Sequence, residues 1–228
     1  DFFPQNDGEL YIAVGDATGH GLGAGLMVTA TRTALLTIRE PDLVKVAAKV
    51  NGVLRRVNLG SRLNMALTLV GLSRPDGSGT VHVQASGGGM APMYVLRGDG
   101  TVQERIVPGV PLGALADAEY GLVAFELAPG DALVLMSDGV PEHRHPERGP
   151  LGYDGVLRAL ADFGRWYRVR RDEVAAGDIL EFLLETCEGW SPDHVIEDDV
   201  TVVVAKVADG DAVPSVFENE HNLQTFDP

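Results

Sequence analysis

The spacing of hydrophobic residues predicts one strand and two helices near the start of the chain. The apolar run Leu10 to Val14, bounded by Glu9 and Gly15, is typical of a short buried strand. After a glycine-rich turn, apolar residues recur every four positions from Leu26 to Ile38, which indicates one face of a helix. A second amphipathic pattern, Leu43 to Val57, predicts a helix whose first turn includes Pro41 and Asp42.

The pattern then changes to short strands separated by tight turns. Ala66 to Leu72 and the alternating run Val81 to Ala85 flank a turn rich in glycine and proline, so they predict a hairpin. The three glycines Gly87 to Gly89 are expected to interrupt the second strand. Further strands are predicted over Met93 to Leu96, Thr101 to Val107, Leu122 to Leu127 and Ala132 to Met136.

Helical periodicity returns late in the chain and a final strand follows it. Helices are predicted over Tyr153 to Phe163 and Val174 to Cys187. Val200 to Val207 is almost continuously apolar, so we expect it at the centre of a sheet. Asp209 to Pro228 is polar and aperiodic, and we expect it outside the core. Short turns between strands, with helices in two groups, favour antiparallel sheets over a doubly wound parallel sheet.

Composition and charge restrict the class of protein. The 228 residues include 33 acidic and 18 basic side chains, a formal net charge of −15, which argues against nucleic acid or an anionic membrane as partner. Apolar runs stay far below the roughly 20 residues of a membrane helix. One cysteine, Cys187, excludes an internal disulfide. We therefore expect a cytoplasmic globular protein or a piece of a larger one.

The acidic residues of interest stand at strand ends. Asp16 and Asp138 each follow a predicted strand, Asp198 and Asp199 precede the last strand, and Asp1 precedes the first. Strand ends meet at the rim of a sheet, where clustered carboxylates repel one another unless cations neutralise them. Two divalent ions about 3.5–4 Å apart would bind a phosphoryl oxygen and lower the pKa of a bridging water. Each aspartate taken singly also fits an ordinary turn.

Five motifs, taken in order, resemble the SpoIIE-type (RsbU-like) bacterial serine/threonine phosphatases of the metal-dependent PPM class, which is related to type-2C phosphatases. The resemblance covers about residues 1–207. The motifs are Gly15-Asp16-Ala17-Thr18-Gly19-His20-Gly21, Pro111-Leu112-Gly113, Pro129-Gly130-Asp131, Ser137-Asp138-Gly139-Val140-Pro141-Glu142 and Asp198-Asp199-Val200-Thr201.

The resemblance implies a role for each matched position. Asp16 would bridge two divalent cations, Mn²⁺ or Mg²⁺. Asp138 and Asp198 would bind one of the two ions, while Asp1 and the main-chain carbonyl of Ala17 would bind the other. Asp16, Asp138 and Asp198 are accordingly the catalytic residues that the resemblance implies.

The same resemblance implies an α+β fold: a four-layer α-β-β-α sandwich of two antiparallel sheets flanked by helix pairs. It divides the chain into a phosphatase domain, residues 1–207 with a truncated first strand, and an acidic tail or linker, residues 208–228. The implied substrate is phosphoserine or phosphothreonine on a protein, in many relatives an anti-anti-sigma (STAS) regulator. A homodimer is compatible with it. The alternatives are a pseudo-phosphatase that binds or senses a partner and a hydrolase of small phosphoesters.

Other residues are weighed against simpler interpretations. His20 lies beside the metal turn as a candidate general acid, but a surface role fits better; His143 and His145 are expected in a solvated loop. Cys187 is expected in the core. The basic and aromatic run Arg165 to Arg171 is either a solvated helix connection or a docking surface for an acidic protein.

Overall fold

Two antiparallel sheets stacked face to face, each covered outside by two helices, form the fold in the computed structural model, which describes residues 1–5, 8–57, 63–191 and 199–208. The helices are α1 (Leu22–Thr37), α2 (Leu43–Val57), α3 (Tyr153–Arg170) and α4 (Ala176–Trp190). The strands are β1 (Phe2–Pro4), β2 (Leu10–Ala17), β3 (Met65–Leu72), β4 (Val81–Gly88), β5 (Met93–Leu96), β6 (Val102–Arg105), β7 (Leu122–Leu127), β8 (Ala132–Met136), β9 (Arg144–His145), β10 (Gly149–Pro150) and β11 (Val202–Lys206).

The first sheet has the strand order β1-β2-β3-β4-β7. Its β3–β4 hairpin pairs Leu72 with Val83, as the turn between them predicts. The second sheet has the order β11-β8-β5-β6, while β9 and β10 form a separate two-stranded ribbon. All of the strand pairs are antiparallel, which confirms the expected sheet class.

Three apolar clusters lie between the four layers. One packs α1 and α2 on the first sheet, a second packs α3 and α4 on the second sheet, and the third fills the space between the sheets. Residue parity along β2 shows the arrangement, since Ala13 faces the helices while Ile12 and Val14 face the opposite sheet. The α+β sandwich with layers α-β-β-α is thereby confirmed.

The loop that carries Pro111-Leu112-Gly113 is held against the first sheet. Leu112 exchanges two main-chain hydrogen bonds with Met65, of 2.7 and 2.8 Å. The buried Asn51 of α2 accepts from the Gly113 N–H at 2.7 Å and donates to the Leu115 carbonyl at 3.0 Å. Because Met65 is paired with Ala17, this loop supports the end of β2 at which Asp16 lies.

Two predictions about strands are wrong. The final strand, expected at the centre of a sheet, lies at the edge of the second sheet. Its continuous apolar pattern has another cause: Val202 and Val204 pack toward the helices and Val203 toward the opposite sheet, so both faces are covered. The second wrong prediction concerns the glycines Gly87 to Gly89. They do not interrupt β4 at Gly87, because that strand continues through Gly88.

Helix ends differ from the predicted bounds as well. α3 continues to Arg170, seven residues beyond the predicted end at Phe163, and its last turns contain the basic run. α1 already begins at Leu22.

None of the helices in the described ranges has the length and apolar character to cross a membrane. The expected tail, Asp209 to Pro228, lies outside the described residues.

Candidate functional site

Asp16 lies within β2, paired with Ala66 of β3, and not after the strand as the sequence pattern suggested. It has the same parity as Ile12 and Val14, so its side chain belongs to the face that looks toward the second sheet. Two residues beyond Val14 the apolar interior ends. A half-buried carboxylate therefore stands at the rim of the space between the sheets.

Asp138 reaches the same rim from the second sheet. It follows β8 and Ser137, and one carboxylate oxygen, Oδ1, is buried without a hydrogen-bond partner among the described residues. A buried carboxylate oxygen without a partner carries a desolvation cost that a bound cation would offset.

One small cavity joins the two carboxylates. Asp16 and Asp138 both line it, and its volume of about 30 Å³ is enough to hold a water molecule. The remaining lining comes from the start of β3, the turn after β4 and the start of α3. These residues are Ala66, Gly89, Met90, Ala91 and Tyr153.

The loop after Asp16 requires glycine at two positions. Gly19 and Gly21 have φ angles of 84° and 77°, in the left-handed region that other residues adopt at a cost. The loop brings the chain directly to α1 at Leu22. Ala17 packs its methyl group in the apolar cluster between the first sheet and its helices. Only its main-chain carbonyl could bind a cation, because an alanine side chain has no polar atom.

A hydrogen-bonded clamp holds the segment before β11 beside Asp138. The Ser137 hydroxyl donates to the Asp199 carbonyl at 3.0 Å and accepts from the Thr201 N–H at 2.9 Å. A Cβ on Gly139 would lie 2.5 Å from that Asp199 carbonyl oxygen, so glycine permits the close approach. Asp199 itself is exposed. Asp198, the predicted ligand, lies outside the described residues.

Asp1 is not brought together with Asp16. Two main-chain hydrogen bonds pair it with Ala13, which faces the helices, whereas Asp16 has the opposite parity. Its carboxylate forms an ion pair of 3.0 Å with Arg32 of α1. In the β1–β2 register the position opposite Asp16 is three residues before Asp1, which places Asp1 about 10 Å too far along the strand.

The histidines are placed differently from one another. His20 is exposed in the loop before α1. The prediction of a solvated loop is wrong for His143, which is 7% exposed and whose carbonyl accepts from the Leu151 N–H at 2.9 Å. The Nδ1 atom of His145 accepts from the N–H groups of Glu147 and Arg148, so it shapes a turn.

Tyr153 is a cavity residue that the sequence did not indicate. It is the first residue of α3, and a single tyrosine at a helix start gives no pattern that would reveal it. Burial raises the pKa of its hydroxyl, and the nearby carboxylates of Asp138 and Glu142 raise that pKa further. The phenol therefore stays protonated and available as a hydrogen-bond donor across the neutral range.

The donor atoms at this rim suit a hard divalent cation. They are carboxylate oxygens and main-chain carbonyls, which Mg²⁺ and Mn²⁺ prefer over nitrogen or sulfur ligands. Within the described ranges, however, no three His, Cys, Asp or Glu side chains come together as a metal-binding group. The described part of the chain thus supplies two carboxylates, one of them with a buried oxygen that lacks a hydrogen bond.

Solved structures with a similar architecture are PP2C-type domains. The SiaA-PP2C domain of Pseudomonas aeruginosa gives a TM-score of 0.69 at 22% identity, covering 90% of this chain and 78% of that one. The RsbU and RsbW domains of a Mycobacterium tuberculosis protein give 0.64 at 23%, covering 90% and 54%. RsbX in complex with magnesium gives 0.59 at 12%, covering 89% and 83%. These likenesses define the class of fold as PP2C.

Within this fold class the chain belongs to the SpoIIE family, because the family model for stage II sporulation protein E (SpoIIE) matches residues 6–208. Stage II sporulation protein E of Bacillus subtilis is 24% identical over 219 residues, and that of Priestia megaterium 25% over 211. These matches cover 92% and 89% of this chain. The chain spans only 24% and 32% of the length of these two relatives.

Proposed function

We propose that the chain is a metal-dependent phosphoprotein phosphatase that hydrolyses phosphoserine or phosphothreonine. The observation that carries the proposal is the cavity shared by Asp16 and Asp138, where a buried oxygen of Asp138 has no hydrogen-bond partner among the described residues. Membership of the SpoIIE family and the PP2C fold supports the same activity.

Asp16 would help to hold both of two Mn²⁺ or Mg²⁺ ions, Asp138 and Asp198 would hold one of them, and the Ala17 carbonyl would hold the other. Asp1 is left out because it pairs with Arg32. When bound, such ions supply an activated water at neutral pH and offset the charge of the phosphate. A magnesium complex of RsbX, a neighbour in fold, supports this choice of metal.

The other residues of the site position these groups. Ser137 holds the segment before β11 against Asp138 through its two hydrogen bonds. Tyr153, protonated at neutral pH, is available to donate to a phosphoryl oxygen at the cavity. We expect the phosphate of the substrate to bind at the mouth of this cavity, with its reacting oxygens near the two carboxylates.

The proposed substrate is a protein of the anti-anti-sigma (STAS) type, acting in the cytoplasm. The family resemblance is the basis for this class, and the M. tuberculosis neighbour combines an RsbU domain with an RsbW domain. The formal charge of −15 supports a protein partner over nucleic acid.

Hydrolysis of phosphorylated β-casein and of p-nitrophenyl phosphate with Mn²⁺ tests the proposal. We expect chelator to abolish both activities and Asp138→Asn or Asp16→Asn to lower kcat/KM by about 100-fold or more, since each removes a charged metal ligand. Asp117→Asn, an exposed acid away from the cavity, is the matched control and should stay within about twofold. Full activity in chelator would contradict the proposal.

A pseudo-phosphatase is the competing function, and the pairing of Asp1 with Arg32 is the observation that favours it. Calorimetry with Mn²⁺ separates the two. A catalytic domain should take up Mn²⁺ in a manner that Asp138→Asn weakens, whereas a binding-only relic should show no carboxylate-dependent uptake.

A further inference from the structure

The last two turns of α3 present arginine and exposed apolar groups together. Trp166 is 45% exposed and Val169 is 77% exposed. Val169 lies one helical turn after both Arg165 and Trp166, so these side chains share the outer face of the helix. We call Arg165, Trp166, Arg168, Val169 and Arg170 the arginine patch.

Two cations of the arginine patch form no ion pair with any residue that the structure describes. Arg165 pairs with Asp162 at 3.1 Å, but neither Arg168 nor Arg170 forms a salt bridge among the described residues. The Arg170 guanidinium lies over the Trp166 ring, 5.5 Å from its centroid. An arginine over a tryptophan face is held in place while its N–H groups remain available to a carboxylate.

The backbone beneath the patch is firmly anchored. The buried Tyr167 donates its hydroxyl to the Gly130 carbonyl at 2.8 Å, and Lys206 of β11 donates to the Arg171 carbonyl at 2.7 Å. Trp166 also packs on Phe163, with ring centroids 5.3 Å apart. A surface held in this way loses little conformational entropy when a partner binds.

The charge of the patch is opposite to that of the whole chain. The patch contains three arginines and no acidic residue, in a protein with net charge −15. An acidic partner is repelled by most of this surface and attracted here, so the patch both selects and orients such a partner. Tryptophan and arginine are also the residues most often found at the energetic centre of protein interfaces.

The patch lies at the far end of the helix that begins at the cavity. Tyr153 lines the cavity and Val169 stands 16 residues later on α3, which is about 24 Å at the helical rise per residue. A protein substrate can reach both places at once, whereas p-nitrophenyl phosphate cannot.

We propose that the arginine patch is a docking site for an acidic surface of the phosphoprotein substrate, separate from the cavity at which its phosphate reacts. This inference rests on the proposed phosphatase function for the identity of the partner as a substrate. It assigns substrate choice to a surface that takes no part in the chemistry.

The test compares wild type with Arg168→Glu/Arg170→Glu on two substrates. For phosphorylated β-casein, an acidic phosphoprotein, we expect KM to rise about tenfold or more with kcat nearly unchanged. For p-nitrophenyl phosphate, kcat/KM should stay within about twofold. Arg39→Glu/Arg56→Glu is the matched control: it makes the same charge change at exposed positions around α2 and should leave both substrates unaffected.

A binding measurement separates this proposal from the proposed activity. Without divalent ions, the dissociation constant for phosphorylated β-casein should rise about tenfold in the patch variant, and added salt should weaken wild-type binding more than that of the variant. The neutral variant Arg168→Gln/Arg170→Gln should show a smaller rise of this dissociation constant. It replaces the glutamate variant in the test if that variant does not fold.

Unchanged casein binding in both patch variants would overturn the docking site even if the phosphatase activity is real. Tighter binding by the variants would also overturn it, and would point instead to the chain's own segment 209–228, which has five acidic and no Lys or Arg residues. If the wild-type protein hydrolyses neither substrate, while the patch variants bind casein more weakly as expected, the proposed activity is refuted and the docking site is retained.

Discussion

Two aspartates with similar local sequence end in different surroundings. Asp16 is part of a paired strand, while Asp138 follows a strand and keeps one buried oxygen without a hydrogen bond among the described residues. Both need the other sheet to form a site, because each sheet supplies one carboxylate to the cavity. A cation between them would relieve the cost of holding like charges at one rim.

Cys187 gives a prediction about pH and reactivity. It is 5% exposed in α4, and burial, followed by the charge of Glu188, raises the pKa of its thiol to about 11. Because the thiolate is the reactive form, we expect iodoacetamide to label native protein at pH 8.5 at least about 100-fold more slowly than protein unfolded in urea. Mass spectrometry of the labelled protein measures both rates.

The same pKa shift predicts how stability changes with pH. The folded state holds the thiol proton more tightly than the unfolded state, whose pKa is near the usual 9.0. The contribution of Cys187 to the free energy of unfolding is therefore complete below about pH 9 and falls as pH rises toward about 11. Rapid labelling of native protein at pH 8.5 would contradict this burial.

At the scale of elements, α3 crosses the β5–β6 turn so closely that two glycines meet. A Cβ on Gly164 would overlap the carbonyl oxygen of Gly100, and a Cβ on Gly100 would overlap that of Gly164. Such a contact explains a glycine in the interior of a helix, where alanine is otherwise favoured by about 1 kcal/mol.

Gly164→Ala is accordingly expected to lower the free energy of unfolding by about 1–3 kcal/mol, because the backbones must separate. Gly52→Ala is the matched control in the interior of α2, where a Cβ would meet nothing within 4 Å, and it should raise stability by about 0.5–1 kcal/mol. Urea unfolding measures both. Equal effects of the two substitutions would show that the helix crossing does not depend on glycine.

At the scale of the whole molecule, net charge and specific ion binding make separable contributions to stability. A charge of −15 destabilises the folded chain by self-repulsion, so monovalent salt should raise Tm modestly in every variant. Mn²⁺ at low ionic strength should add a further rise of about 5–10 °C when its concentration is 100 times the dissociation constant.

The further rise should vanish in Asp138→Asn and persist in Asp117→Asn, as differential scanning fluorimetry can measure at matched ionic strength. If Asp138→Asn and wild type gain equally from Mn²⁺, the ions act by general screening and the cavity is not their binding site.

Most element types and several bounds could be predicted because hydrophobic periodicity is a local property. The strands Leu122–Leu127 and Ala132–Met136 match the structure residue for residue, and the second helix ends at Val57 as predicted. The order of five short motifs was enough to indicate the family, which the match over residues 6–208 confirms.

The assembly of the site depended on contacts between residues distant in sequence. Adjacent residues of a strand face opposite sides of the sheet, so a shift of one residue changes the face. Only the β1–β2 register therefore shows that Asp1 faces α1 and Arg32 while Asp16 faces the cavity. Likewise β11 reads as a central strand by composition, but its apolar faces are covered by α4 and the opposite sheet. The hydrophobic pattern of the sequence predicts that a residue is buried. Only tertiary packing determines which elements bury it, because those elements come from distant parts of the chain.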